Sequence, residues 1–280
     1  MQKTKEYKST IQMYKRGIPL IRKIRDLVEL KYNELFFAVI VHGSVATKEV
    51  IAYSDFDGLL IINDSYLETK KLQCFIKESM RLIYNFDPLQ HHGWFQIKKS
   101  DLQNYPENYL PTSVLRHSKL IYPKVNKLDI SFKVLEKTDY KIGFIKILDR
   151  FDDRIQNHWQ PRNIYELKAM LSQIMLLPSL YYSTINQKGI FKKDSFDEVK
   201  KQFSEEEWYP IKIATKIRKE WAYDLNPLQK FLFRITNPTL RKIIVRFFAP
   251  KINIKTKSLI NNKLYPTLDK FIKKTKTRLK

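Results

Sequence analysis

The chain has 280 residues, is 43% hydrophobic and carries 52 Lys and Arg against 29 Asp and Glu, a formal net charge of +23. That is enough apolar sequence for one large core or two modest ones, so disorder over the whole length is excluded. A lone cysteine, Cys74, excludes a disulfide framework and a cysteine-based zinc site. Together with a polar stretch over 1–16 lacking a signal core, it predicts a cytoplasmic protein.

Residues 6–30 place Ile11, Tyr14, Ile18, Ile21, Ile24, Leu27 and Val28 at helical spacing, with Pro19 as a kink or break. The unbroken apolar run 36–41 predicts a strand buried on both faces, closed by Gly43-Ser44. Residues 45–51 suit a short helix or loop. A second buried strand is expected at 58–62, an amphipathic helix at 67–84, a third strand at 89–97 and a short helix at 113–120.

Beyond that the pattern is helical. Helices are predicted at 140–159, 164–185, 196–203 and 205–222. Ser195 with Glu198 and Ser204 with Glu207 have capping-box spacing, and Asn237-Pro238 suits another helix start. These patterns predict two domains, 1–126 and 127–280. The second holds most of the positive charge: 225–280 has 15 basic residues and one acid, Asp269. Such a field attracts nucleic acid, nucleotide or an anionic membrane surface. Segments 231–235 and 243–248 mix aromatics with arginines, as an interfacial helix does, but an ordinary helix packing on the bundle has the same composition and is the preferred reading. No run reaches the length of a transmembrane span.

The chemistry concentrates at Gly43-Ser44 and, after a spacer, Asp55-Phe56-Asp57. Gly43 permits a sharp turn at a strand end. Ser44 and neighbouring N–H groups, with Lys48 close behind, suit phosphate oxygens. Asp55 and Asp57 alternate on extended chain, so both carboxylates face one side and attract a divalent cation, with Phe56 turned to the core.

These residues resemble the nucleotidyltransferase superfamily that includes DNA polymerase β and the aminoglycoside nucleotidyltransferases. The likeness runs from Phe36 to Pro123, including the apolar-apolar-Tyr ending Leu120-Ile121-Tyr122. It implies an α+β fold, a nucleotidyltransferase-type mixed sheet with flanking helices, followed by an all-α domain. It implies Mg²⁺ or Mn²⁺ at Asp55 and Asp57 and a nucleoside triphosphate as substrate. The family's third carboxylate, expected on the next long strand, is missing: 89–97 has no acid, and Asp87 and Asp101 lie on either side. His91 or His92 could replace it as base or ligand, with His92 narrowly preferred, or Asp87 could reach in as a metal ligand. The segments 176–182 and 189–196 look like the helical domain of bacterial small-molecule members, where Lys192 or Lys193 would meet the triphosphate. The acceptor is expected to be a small or carrier-bound molecule, with an RNA end kept open by the basic tail. A fold of this kind lacking transfer activity, binding nucleotide, RNA or protein, is the alternative.

Overall fold

The computed structural model describes residues 4–15, 17–136, 139–221 and 223–279. The chain divides into two compact units, Met1–Glu136 with Asn226–Val245, and Lys137–Leu225 with Arg246–Lys280. The expected boundary near 126 falls just before a strand that belongs to the first unit.

Among the described residues the first unit is built on six strands: β1 Thr4–Met13, β2 Phe36–His42, β3 Asp57–Ile62, β4 Phe95–Lys98, β5 Lys119–Tyr122 and β6 Lys127–Leu135. Their order is β4-β3-β2-β5-β1-β6, a mixed sheet in which β2 runs antiparallel to both β3 and β5. Helices α1 Pro19–Leu27, α2 Gly43–Thr47, α3 Lys70–Phe86 and α4 Thr112–Leu115 connect them. The α+β class expected from the sequence is therefore observed.

Two central strands supply both faces of the sheet. Val39 and Val41 of β2 and Leu60 and Ile62 of β3 share one core with Ile21 and Ile24 of α1 and Phe75 and Ile83 of α3. Ala38, Ile40, Leu59 and Ile61 join the opposite core with Leu102, Leu115 and Phe132. Apolar side chains on both faces explain why β2 and β3 are unbroken apolar runs.

The predicted helix over 6–30 is corrected. Its first part is β1, in which Tyr7, Ser9, Ile11 and Met13 are the more buried positions and Lys8, Thr10 and Gln12 are exposed. That is strand periodicity. Only the part after Pro19, the first helical residue, is α1. Arg16, within the same expected helix, lies outside the described residues, as do residues 1–3 of the polar N-terminal stretch. The expected strand 89–97 shortens to β4, because 87–94 is an irregular segment, and the helix at 113–120 shortens to α4 before β5.

The second unit is helical: α5 Lys141–Gln156, α6 Ile164–Ile174, α7 Leu177–Asn186, α8 Lys192–Lys200 and α9 Glu205–Glu220. The single helix expected over 164–185 is two, and Pro178 lies in the first turn of the second, α7. Ser195 does not cap a helix. It lies inside α8, its hydroxyl donating to the Lys192 carbonyl at 2.6 Å. Ser204 and Glu207 do form a capping box at the start of α9. Ala222, at the end of that predicted helix, lies outside the described residues. Tyr181 is core, bonded to Gln202 at 3.0 Å and edge-on to Phe203.

The chain then forms α10 Pro227–Leu232 and α11 Pro238–Phe248, followed by α12 Ile254–Leu259 and α13 Tyr265–Leu279, which packs on α9 and α5. Asn237 accepts from the Leu240 N–H at 3.0 Å, the cap expected from Asn-Pro. The basic segments split by face: Phe233 and Val245 are buried, Phe231 and Phe247 exposed. Among the described residues no helix is long and apolar enough to cross a membrane.

Candidate active site

The site is assembled where β2 ends, β3 begins and the irregular segment 87–94 passes. Strand β2 stops at His42, and Gly43 takes φ +64°, a left-handed conformation that turns the chain into α2. Ser44 and Lys48 follow. The Lys48 side chain is exposed, and its main chain caps α2 in the left-handed region, its N–H donating to the Ser44 carbonyl.

His42 is paired with Asp57 across β2 and β3. The Asp57 carboxylate leans over the Cα of Gly43: a Cβ on that residue would lie 2.3 Å from Asp57 Oδ2. Gly43 therefore answers two demands at once, a left-handed turn and the room for a carboxylate. Asp55 and Asp57 are both partly exposed, while Phe56 between them is buried and edge-on to Trp94 at 5.1 Å. The alternation expected from the sequence is present. Asp57 lies on the face of Leu59 and Ile61, and Phe56 in the core of the other face.

The segment 87–94 brings a histidine to Asp55. The His91 main-chain N–H donates to Asp55 Oδ1 at 3.4 Å, and His91 Nδ1 lies 3.9 Å from the same oxygen. His92, preferred from the sequence, is exposed, its ring 6.4 Å from that of His91. It is not deeper in a strand, because that part of the chain is not a strand. His91 thus stands against Asp55, and His92 is close enough to His42, the cross-strand partner of Asp57, to act on its charge.

Asp87 is fully buried and ends α3, and its Oδ1 accepts from the Leu89 N–H at 3.0 Å. It shapes the turn of its own segment. Among the described residues no group of three or more His, Cys, Asp or Glu is placed to hold a metal ion. Asp101, the acid on the other side, accepts from the Lys98 N–H at 2.7 Å.

His42 is buried, and its Nε2 has no hydrogen-bond partner among the described residues. Burial, and then the like charge of His92, push its pKa down to about 3, so its ring is neutral at pH 7.

Gln90 is the residue that sequence reasoning missed. It is 1% exposed, and its side-chain amide accepts from the Phe56 N–H at 2.8 Å and donates to the Phe56 carbonyl at 2.9 Å. It thus fixes the main chain between the two acids. A glutamine beside His-His carries no local signal of that role. Lys192 and Lys193 lie in the first turn of α8, in the second unit.

No protein-family model matches the sequence, and no curated protein matches it. Among solved structures the chain is similar to a spectinomycin adenyltransferase from Enterococcus faecialis determined with ATP and spectinomycin. The two are 14% identical with a TM-score of 0.44, over 82% of this chain and 99% of that one. A likeness of that size says nothing of this chain's ligands.

Proposed function

We propose that the chain is a metal-dependent nucleotidyltransferase, moving a nucleoside monophosphate from a nucleoside triphosphate to an acceptor hydroxyl or phosphate, with the α–β phosphoanhydride broken and pyrophosphate released. The observation that carries this reading is the placement of the Asp57 carboxylate over Gly43, at the turn into Ser44, with Asp55 one alternation away. Two partly exposed carboxylates beside a turn of main-chain N–H groups suit a triphosphate and its cation.

The donor set fits Mg²⁺ or Mn²⁺. Mg²⁺ is commonly held by one or two carboxylates plus substrate phosphates and water, so a third protein ligand is not required for binding. Bound there, the ion would neutralise charge on the reacting phosphate oxygens. The chain's own groups do the rest. Asp55 and Asp57 fix the cation. Gly43 and Ser44 orient phosphate, with Lys48 near the same turn. His91, next to Asp55, takes the acceptor proton, and His92 is the second candidate. The acceptor is placed among small or carrier-bound molecules, because the helical part of the sequence has no recognisable RNA-binding motif. The charge of 225–280 leaves an RNA end or a peripheral contact with anionic lipid as alternatives.

The second reading, a nucleotide-binding module without transfer, is favoured by one observation: among the described residues no group of three or more His, Cys, Asp or Glu is placed to hold a metal ion. One experiment separates the two. The full chain is incubated with α-labelled nucleoside triphosphates, Mg²⁺ or Mn²⁺ and a cell extract as acceptor source. Transfer of label, lost in Asp55→Asn and Asp57→Asn, supports the enzyme. Metal-dependent nucleotide binding without label transfer supports the module. Neither binding nor transfer overturns both.

A further inference from the structure

We propose that Arg241 is a positioning residue for the Asp55–Asp57 pair, acting through Gln90. This rests on reading that pair as the reactive centre.

The two bonds from Gln90 to Phe56 are those a neighbouring strand would make. Among the described residues the ladders of β3 begin at Asp57, so no strand pairs with Phe56, and one side chain takes that place. The Gln90 amide nitrogen also donates to the His92 carbonyl at 2.9 Å, so the same group ties the acid pair to the histidine segment. The position of Gln90 therefore decides where Asp55, Asp57 and His91 stand relative to one another.

Gln90 is held in turn by Arg241 of α11, 151 positions later in the chain. Arg241 Nη1 donates to the Gln90 carbonyl at 2.9 Å, Nη2 to the Pro88 carbonyl at 2.7 Å and Nε to the Phe233 carbonyl at 3.1 Å. The guanidinium stacks 3.8 Å from the ring centre of Tyr84, and the residue is 4% exposed. Burying a cation is costly, and an apolar side chain of similar volume is often as stable or more so. What an apolar side chain cannot do is fix two carbonyls of an irregular segment in a set geometry. Only the planar fork of arginine reaches both at once. Trp94 closes the far end of the segment: its indole N–H donates to Ser79 at 2.9 Å and its ring lies on Gly58, where a Cβ would come within 2.3 Å. Between these two anchors the segment has little freedom.

The test uses the full chain and two independent readouts. Amide hydrogen exchange is followed at Phe56, with Leu60 and Ile61 of β3 as internal references, in wild type, Arg241→Ala, Arg241→Lys and Gln90→Leu. Exchange at Phe56 should rise about tenfold or more in the Arg241→Ala and Gln90→Leu variants, while the β3 references stay unchanged. Label-transfer kcat should fall about 10²-fold with the nucleotide KM little changed, the pattern of displaced reacting groups. A low concentration of guanidinium ion should restore part of both in Arg241→Ala. Arg241→Lys retains the charge but not the fork and should fall between. If Arg241→Ala does not fold, Gln90→Leu and Arg241→Lys carry the test. Unchanged exchange at Phe56 overturns the proposal, and so does an equal rise at all three amides, which would mark Arg241 as merely structural. Absence of label transfer in wild type would overturn the functional reading instead, and exchange would still decide the role of Arg241.

Discussion

The Asp57 carboxylate occupies the space a side chain at position 43 would need: Oδ2 would lie 2.3 Å from a Cβ there. Gly43→Ala therefore meets two obstacles, a left-handed φ of +64° and a carboxylate that must move. We expect a loss of about 1–3 kcal/mol in stability, the scale of a strained non-glycine conformation. Metal-dependent nucleotide binding should fall with it. Chemical denaturation and titration with Mn²⁺ and ATP check the two effects. A variant with wild-type binding would show that the contact is incidental.

Asp57→Asn should behave differently. The residue is partly exposed at the start of β3, and asparagine keeps its shape. Stability measured in EDTA should change by no more than about 1 kcal/mol, while metal-dependent nucleotide binding is lost. A loss of several kcal/mol without metal would make Asp57 a structural residue.

The two histidines separate by position. His91 lies against Asp55 and His92 is exposed. His91→Ala should lower the label-transfer rate by about 10²-fold, the scale for losing a general base, with nucleotide affinity nearly unchanged. His92→Ala should cost markedly less. The reverse order would return the base role to His92.

His42 gives a prediction in pH. Its folded pKa, about 3, is below the ordinary value of 6.5, so the unfolded chain binds more protons between those two values. Its contribution to stability is complete above about pH 6.5 and is lost as pH falls toward 3. At about 1.36 kcal/mol per pH unit the full loss is roughly 5 kcal/mol, of which about 3 is reached by pH 4. Denaturation of the metal-free protein from pH 7 to 4 should show this limb, and His42→Gln should flatten it. An unchanged slope in that variant would move the acid sensitivity to other groups.

What could be read from the sequence was what is local. Gly43, Ser44, Asp55 and Asp57 lie within one turn and two strand ends, and the alternation around Phe56 is a property of extended chain. Strand β1 was hidden because Ile11, Tyr14, Ile18 and Ile21 mimic a helical stripe. The alternation of Tyr7, Ser9, Ile11 and Met13 is decided by pairing with β6, more than a hundred residues away. In β6 itself Ile130, Phe132 and Val134 alternate with exposed Asp129, Ser131 and Lys133, a strand signal that is present in the sequence. Gln90 and Arg241 were beyond local reading altogether, since each matters only through main-chain groups brought to it by the fold.

The return of 226–245 to the first unit has a consequence for synthesis. When residue 136 leaves the ribosome, every strand of the sheet has been made, and the nascent chain already contains both acids. It does not yet contain Arg241, and more than a hundred further residues must emerge before the bonds to Pro88 and Gln90 can form. During that interval the sheet can form while the segment 87–94 remains unanchored at one end. Maturation of the acid pair is thereby a late event in the birth of the molecule. A chain cut short before Arg241 would have a complete sheet and an unset centre.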